Sequence, residues 1–113
     1  MGADHLLFTY GSLQDPQVQL DVVGRRLTGS DDVLGGFTVD YVEIVDPRAE
    51  AASARTVQPA LRETGQHLDN VTGTVLAVDA DELDACDEYQ APLYRRVRVT
   101  LRSGRHAWAY VAH

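Results

Sequence analysis

Lysine is absent from this chain, and all ten of its non-histidine basic side chains are arginine. Set against 17 acidic residues they leave a net charge of −7. A domain of that sign repels phosphate backbones, so no nucleic-acid partner is expected, although a few local donors still suffice for a small anion. Cysteine is nearly absent too. With Cys86 alone no internal disulfide can form, and a reducing cytoplasm is the expected compartment. No apolar run approaches the ~18 residues of a membrane span, so no membrane partner is expected. Met1 to Asp4 lacks the basic stretch and apolar run of a signal peptide. A nucleophile elbow, a P-loop and a dinucleotide fingerprint are all missing. His5, His67, His106 and His113 match no metal-ligand spacing, so no metal site is expected.

What is present suits one folded domain over 1–113. The apolar share of 44% is too high for a disordered chain, and 113 residues leave little room for a second core. His5 to Tyr10 (HLLFTY) reads as a buried strand that runs into a tight turn at Gly11-Ser12. Asp15 can cap a helix whose first position is Pro16, where the missing N–H is not needed, and Gly24 suits its end. Asp32 to Val45 predicts one or two strands bent at Gly35-Gly36. From Asp46 to Asn70 the pattern weakens into a long connection, with a short strand around Thr56 to Leu61. Connections of that length are uncommon without a function, and covering a pocket would be one. Val71 to Val78 is a further strand. Asp79 and Glu82 then form a capping-box pair that opens a second helix. Tyr94 to Leu101 and Ala107 to Val111 read as strands joined at Ser103-Gly104. The order predicts an α+β fold: a small mixed or antiparallel sheet or barrel with two short flanking helices.

Two features carry possible chemistry. Tyr10-Gly11-Ser12-Leu13 ends the first strand, and a glycine there lets successive backbone N–H groups face one concavity. It could cradle a carboxylate or oxyanion, or be an ordinary strand-to-helix turn. The second is the end of the later helix, where Leu83, Cys86 and Gln90 share a face. An inward Gln90 either meets a ligand or closes the helix end on loop backbone. Cys86 reads as a core thiol and Glu88 points away. Arg95, Arg96 and Arg98 read as the solvent side of a strand, although Arg95 has the parity of Val97.

Together the LFTYGSL opening, VTGTVLAV, DEYQAPLYRRVRV and AWAYV resemble, in order and spacing, the γ-glutamylcyclotransferase-like family, which includes the plant avirulence-induced-gene-like proteins. The resemblance covers nearly the whole chain. It implies a γ-glutamylcyclotransferase-like fold whose active members convert a γ-glutamyl amide to 5-oxoproline and a free amine. The substrate's own α-amine attacks its γ-carbonyl, so neither a cofactor nor a metal is implied, only a proton acceptor. Tyr10, Gly11, Ser12 and Leu13 match the substrate-cradling loop, and Tyr94 matches the pocket tyrosine. The family's catalytic glutamate position falls on Gln90, which cannot accept a proton at neutral pH. That departure has three readings: natural divergence to binding without cyclisation, a different base with Asp87 as the candidate, or an introduced exchange of glutamate for glutamine. Ala91, beside it, favours divergence. The expected partner is a γ-glutamyl or other amino-acid-derived small molecule, with a catalytically inactive binding or regulatory module as the rival reading. Pairing into a homodimer through an edge strand is compatible with such a domain.

Overall fold

The computed structural model describes residues 4–45, 55–91 and 93–112. Among the described residues seven strands and two helices follow in the order β1 (His5–Thr9), α1 (Pro16–Val23), β2 (Gly29–Gly35), β3 (Phe37–Val45), β4 (Arg55–Glu63), β5 (Asn70–Val78), α2 (Ala80–Gln90), β6 (Tyr94–Thr100) and β7 (His106–Ala112). A single 3-10 turn, Ser12–Gln14, lies between β1 and α1. The α+β class, the two helices and the mostly antiparallel pairing are as expected. The strands are not closed into a barrel. They form a five-stranded sheet in the order β2-β5-β1-β7-β6 and a separate β3-β4 ribbon.

Only the β1–β7 contact is parallel among the described pairings, with Leu7 opposite Trp108. This puts β1 at the centre of the sheet, and a strand covered on both faces reads as an almost continuous apolar run. Phe8 faces the ribbon and packs in a core with Leu34, Leu61, Val75, Val99 and Ala109. Leu7 faces the helices, in a second core with Leu76, Val78, Leu83, Cys86 and Tyr110. Both side chains are completely buried.

The helix ends follow their sequence signals. Asp15 Oδ1 accepts from the Gln17 N–H at 2.9 Å, Pro16 takes the first position, and Gly24 ends α1 at φ 82°. Asp79 and Glu82 close the expected capping box at the start of α2. Gly36, at φ 79°, makes the bend that turns the chain out of the main sheet into the ribbon.

The weakly patterned connection contains more structure than expected. Residues 55–63 are a full strand paired with β3, and 46–54 lie outside the described residues. Pro59 obscured the pattern because proline is depleted in strands. Here its carbonyl accepts the Tyr94 hydroxyl at 2.7 Å, so that edge of Pro59 faces away from β3, where a missing N–H costs no ladder bond.

Candidate functional site

β1 delivers Thr9 and Tyr10 to the end of the main sheet, where the chain turns through Gly11. Gly73 on β5 makes room for this exit: a Cβ there would lie 2.4 Å from the Thr9 carbonyl oxygen and 2.7 Å from the Phe8 ring. The Thr9 hydroxyl fixes the strand end by donating to the Thr74 carbonyl at 3.1 Å. Beyond Gly11 the chain makes its 3-10 turn, closed by Gln14 N–H to Gly11 O at 3.1 Å and Asp15 N–H to Ser12 O at 3.0 Å.

A buried glutamine holds this loop from behind. Gln19 on α1, only 4% exposed, donates through Nε2 to the Leu13 carbonyl at 2.9 Å and accepts the Leu27 N–H at 2.8 Å. Both ends of its amide are satisfied, so burying it carries little penalty. Sequence reasoning did not single out Gln19. Its position on a short helix among apolar residues was the only signal.

The loop forms one wall of a cavity of about 240 Å³. Tyr10, Gly11, Ser12 and Leu13 all line it, together with Gln90 from the end of α2 and Tyr94 from the start of β6. These are six of the sequence-predicted site residues on one cavity. Tyr89 and Tyr110 also line it, as do Gln58 and Pro59 of the ribbon. The connection between β3 and β5 thus contributes to the pocket, as anticipated. Tyr89 and Tyr110 were missed, since a tyrosine in a strand or at a helix end reads equally well as core.

Asp87 is placed elsewhere. Its Oδ1 accepts the Tyr110 hydroxyl at 2.7 Å, and its Oδ2 lies 3.4 Å from Arg96 Nη1. It is not among the residues lining the cavity, and neither is Glu88. The Arg96 guanidinium also stacks 4.4 Å over the Trp108 ring, with Arg98 5.0 Å from the same ring. Two of the three arginines of β6 therefore cover an aromatic surface rather than simply meeting solvent. Arg95, on the face of Val97, is exposed.

Most of the cavity's hydroxyls are committed. Tyr10 donates to the Tyr110 carbonyl at 2.7 Å, Tyr94 donates to Pro59, and the Ser12 and Tyr89 hydroxyls share a 2.9 Å bond. Burial, with the nearby Tyr94, pushes the Tyr10 phenol well above its ordinary range. Tyr94 rises through burial and the neighbouring Tyr89, and Tyr110 through burial and its bond to Asp87. These phenols are therefore neutral donors at physiological pH. Among the described residues none of the cavity's lining is Asp, Glu, His, Lys or Arg. Cys86 lies behind the helix in the core, its thiol pushed up to about 11 mainly by burial, which removes it as a nucleophile. No cluster of metal-ligating side chains occurs among the described residues.

Residues 7–113 match the family model described as gamma-glutamyl cyclotransferase, AIG2-like. The chain belongs to that family. Solved structures of similar fold include an Arabidopsis thaliana protein at 21% identity and a TM-score of 0.71, covering 96% of this chain and 61% of that one. A second Arabidopsis thaliana protein is 24% identical with a TM-score of 0.70, covering 96% and 68%. A gamma-glutamyl cyclotransferase is 18% identical with a TM-score of 0.68, covering 96% and 66%. At these identities the likeness is one of fold, and the chain spans only 61% of the length of the first of these proteins. Among curated protein sequences there is no match. No described helix is long and apolar enough to cross a membrane.

Proposed function

We propose that the cavity binds a γ-glutamyl amide or a related amino-acid-derived small molecule, and that Gln90 occupies the position where the family keeps its catalytic glutamate. The observation that carries this reading is the convergence of the 10–13 loop, Gln90 and Tyr94 on one cavity in a chain of this family.

Cyclisation of such a substrate is intramolecular. The α-ammonium first gives up one proton, the resulting amine attacks the γ-carbonyl, the C–N bond to the leaving amine breaks, and a second proton passes from the attacking nitrogen to the departing one. The protein must fold the substrate into a near-attack geometry and relay these protons. The loop and Tyr94 serve the first task. A carboxamide cannot serve the second, and loss of a general base lowers a rate by ~10²–10⁴-fold. Asp87 is no ready replacement, because it lies behind Tyr110 with its carboxylate already bound.

The test is release of 5-oxoproline from a panel of γ-glutamyl amines by the chain and by Gln90→Glu. Release that rises at least ~100-fold in Gln90→Glu is the expected result. Equal release by both proteins would show that Gln90 does not stand at the base position. A second reading, a binding or regulatory module that performs no chemistry, is favoured by the lack of any acidic residue in the described cavity lining. It predicts ligand binding and no release by either protein.

A further inference from the structure

We infer that this cavity selects ligands whose nitrogen is an amide rather than an ammonium, and that its preferred class is a small lactam paired edge to edge with the Gln90 carboxamide. The inference rests on the reading that the cavity is the ligand site, and it narrows the ligand.

A γ-glutamyl group enters with an α-ammonium. No described residue of the lining offers that cation a counter-charge, and a buried unpaired ammonium is strongly disfavoured. The hydroxyls give little help: the Tyr10, Tyr94 and Tyr110 protons are directed at protein oxygens, and each of these tyrosines is buried or half-buried. Gln90 differs. It lines the cavity, and its side chain makes no hydrogen bond to a described residue, which leaves one carbonyl and one NH₂ for a ligand.

The shape of that offer is specific. In a primary carboxamide the C=O and the syn N–H point along one edge. A lactam is held in the cis form by its ring, so its N–H and C=O also share an edge. The two edges meet through two antiparallel hydrogen bonds, each N–H donating to the opposite carbonyl oxygen. A carboxylate in place of Gln90 would accept from the lactam N–H but set its second oxygen against the lactam oxygen. A single glutamate-to-glutamine difference therefore inverts the preference, from ammonium towards cyclic amide. The volume agrees, since about 240 Å³ falls below the ~300–1,000 Å³ of drug-sized pockets and suits one small ring.

Isothermal titration of the full chain with 5-oxoproline, proline, 2-pyrrolidinone and γ-glutamyl methylamide tests this. Proline keeps the ring and carboxylate but has an ammonium and no ring carbonyl, while 2-pyrrolidinone keeps the lactam and drops the carboxylate. We expect 5-oxoproline to bind at least ~10-fold tighter than proline or γ-glutamyl methylamide, with measurable binding of 2-pyrrolidinone. In Gln90→Glu we expect 5-oxoproline to weaken by ~10-fold and γ-glutamyl methylamide to gain. Gln90→Ala, with its melting midpoint unchanged, should lose 5-oxoproline. Equal binding of proline and 5-oxoproline would overturn the inference, as would 5-oxoproline binding that survives Gln90→Ala. Tighter binding of γ-glutamyl methylamide than of 5-oxoproline by the unmodified chain would overturn it while leaving the proposed function standing. Binding of none of the four ligands by the chain or by correctly folded Gln90→Glu would overturn both.

Discussion

Gln19 shows how one side chain with two opposed hydrogen-bonding ends shapes the site without touching it. Replacing it by leucine keeps the volume but leaves the Leu13 carbonyl and the Leu27 N–H without their partner. Each unsatisfied buried group costs ~1–3 kcal/mol, so urea denaturation of Gln19→Leu should show a loss in that range or above. Tyr110→Phe removes only the hydroxyl that meets Asp87, and Arg96 still stands beside the carboxylate. Its cost should be smaller, ~1–2 kcal/mol. At this scale the sequence was partly legible. The 10–13 loop, Gln90 and Tyr94 were found because they sit at element ends with a recognisable motif around them. Tyr89, Tyr110 and Gln19 were not, since their roles depend on which backbone groups tertiary packing brings within 3 Å. Asp87 could be placed on the helix face near Gln90, but periodicity could not say that Tyr110 and Arg96 would claim its carboxylate.

Among the elements, the capping box at α2 was visible because both of its partners lie within one turn. Glu82 has a second partner that was not visible, Arg25 beyond the end of α1, whose Nε and Nη2 donate at 2.5 and 2.8 Å. Those bonds hold the Glu82 carboxyl below its ordinary value of 4.5, against the opposing effect of burial. A carboxyl lowered in the folded state stabilises fully above its unfolded value, and the contribution disappears as pH falls through the folded value. Urea midpoints taken from pH 6 down to pH 3 should therefore fall, and Glu82→Gln, which keeps a capping side chain, should fall less steeply. Asp32, lowered by Ser103, the Val33 N–H and Arg105 against the effect of burial, adds to the same slope. The extent of β4 was the least legible element, since its pattern depends on which edge of Pro59 faces β3. Gly73 was not singled out within the strand read over Val71 to Val78. Gly73→Ala should cost ~1–3 kcal/mol by denaturation, because its new Cβ would meet backbone rather than a flexible side-chain end.

For the whole molecule, two cores on opposite faces of one open sheet share the stabilisation, and tyrosines whose phenols are pushed up run between them. Tyr10 packs against the ribbon-side core and Tyr110 belongs to the helix-side core. Their folded values, like that of Tyr94, lie above the ordinary 10.0. A group raised in this way stabilises fully below its unfolded value, and that contribution is lost as pH climbs beyond it. Melting midpoints should therefore hold level towards pH 9 and drop above pH 10, with a shallower drop in Tyr10→Phe. The α+β class was legible from the order of elements. The division into an open sheet and a separate ribbon was not, because closure depends on pairing between distant strands.

That distant pairing also governs how the molecule is made. β1 lies between β5 and β7, and the bond from Tyr10 to Tyr110 joins residues 100 apart in the sequence. During synthesis the first strand must wait, with Leu7 and Phe8 exposed, until β5 supplies one side and β7, much later, the other. Contacts so far apart make folding slow. A nascent chain stalled before β7 would present the edge of its most apolar strand to chaperones, to proteases or to another copy of itself.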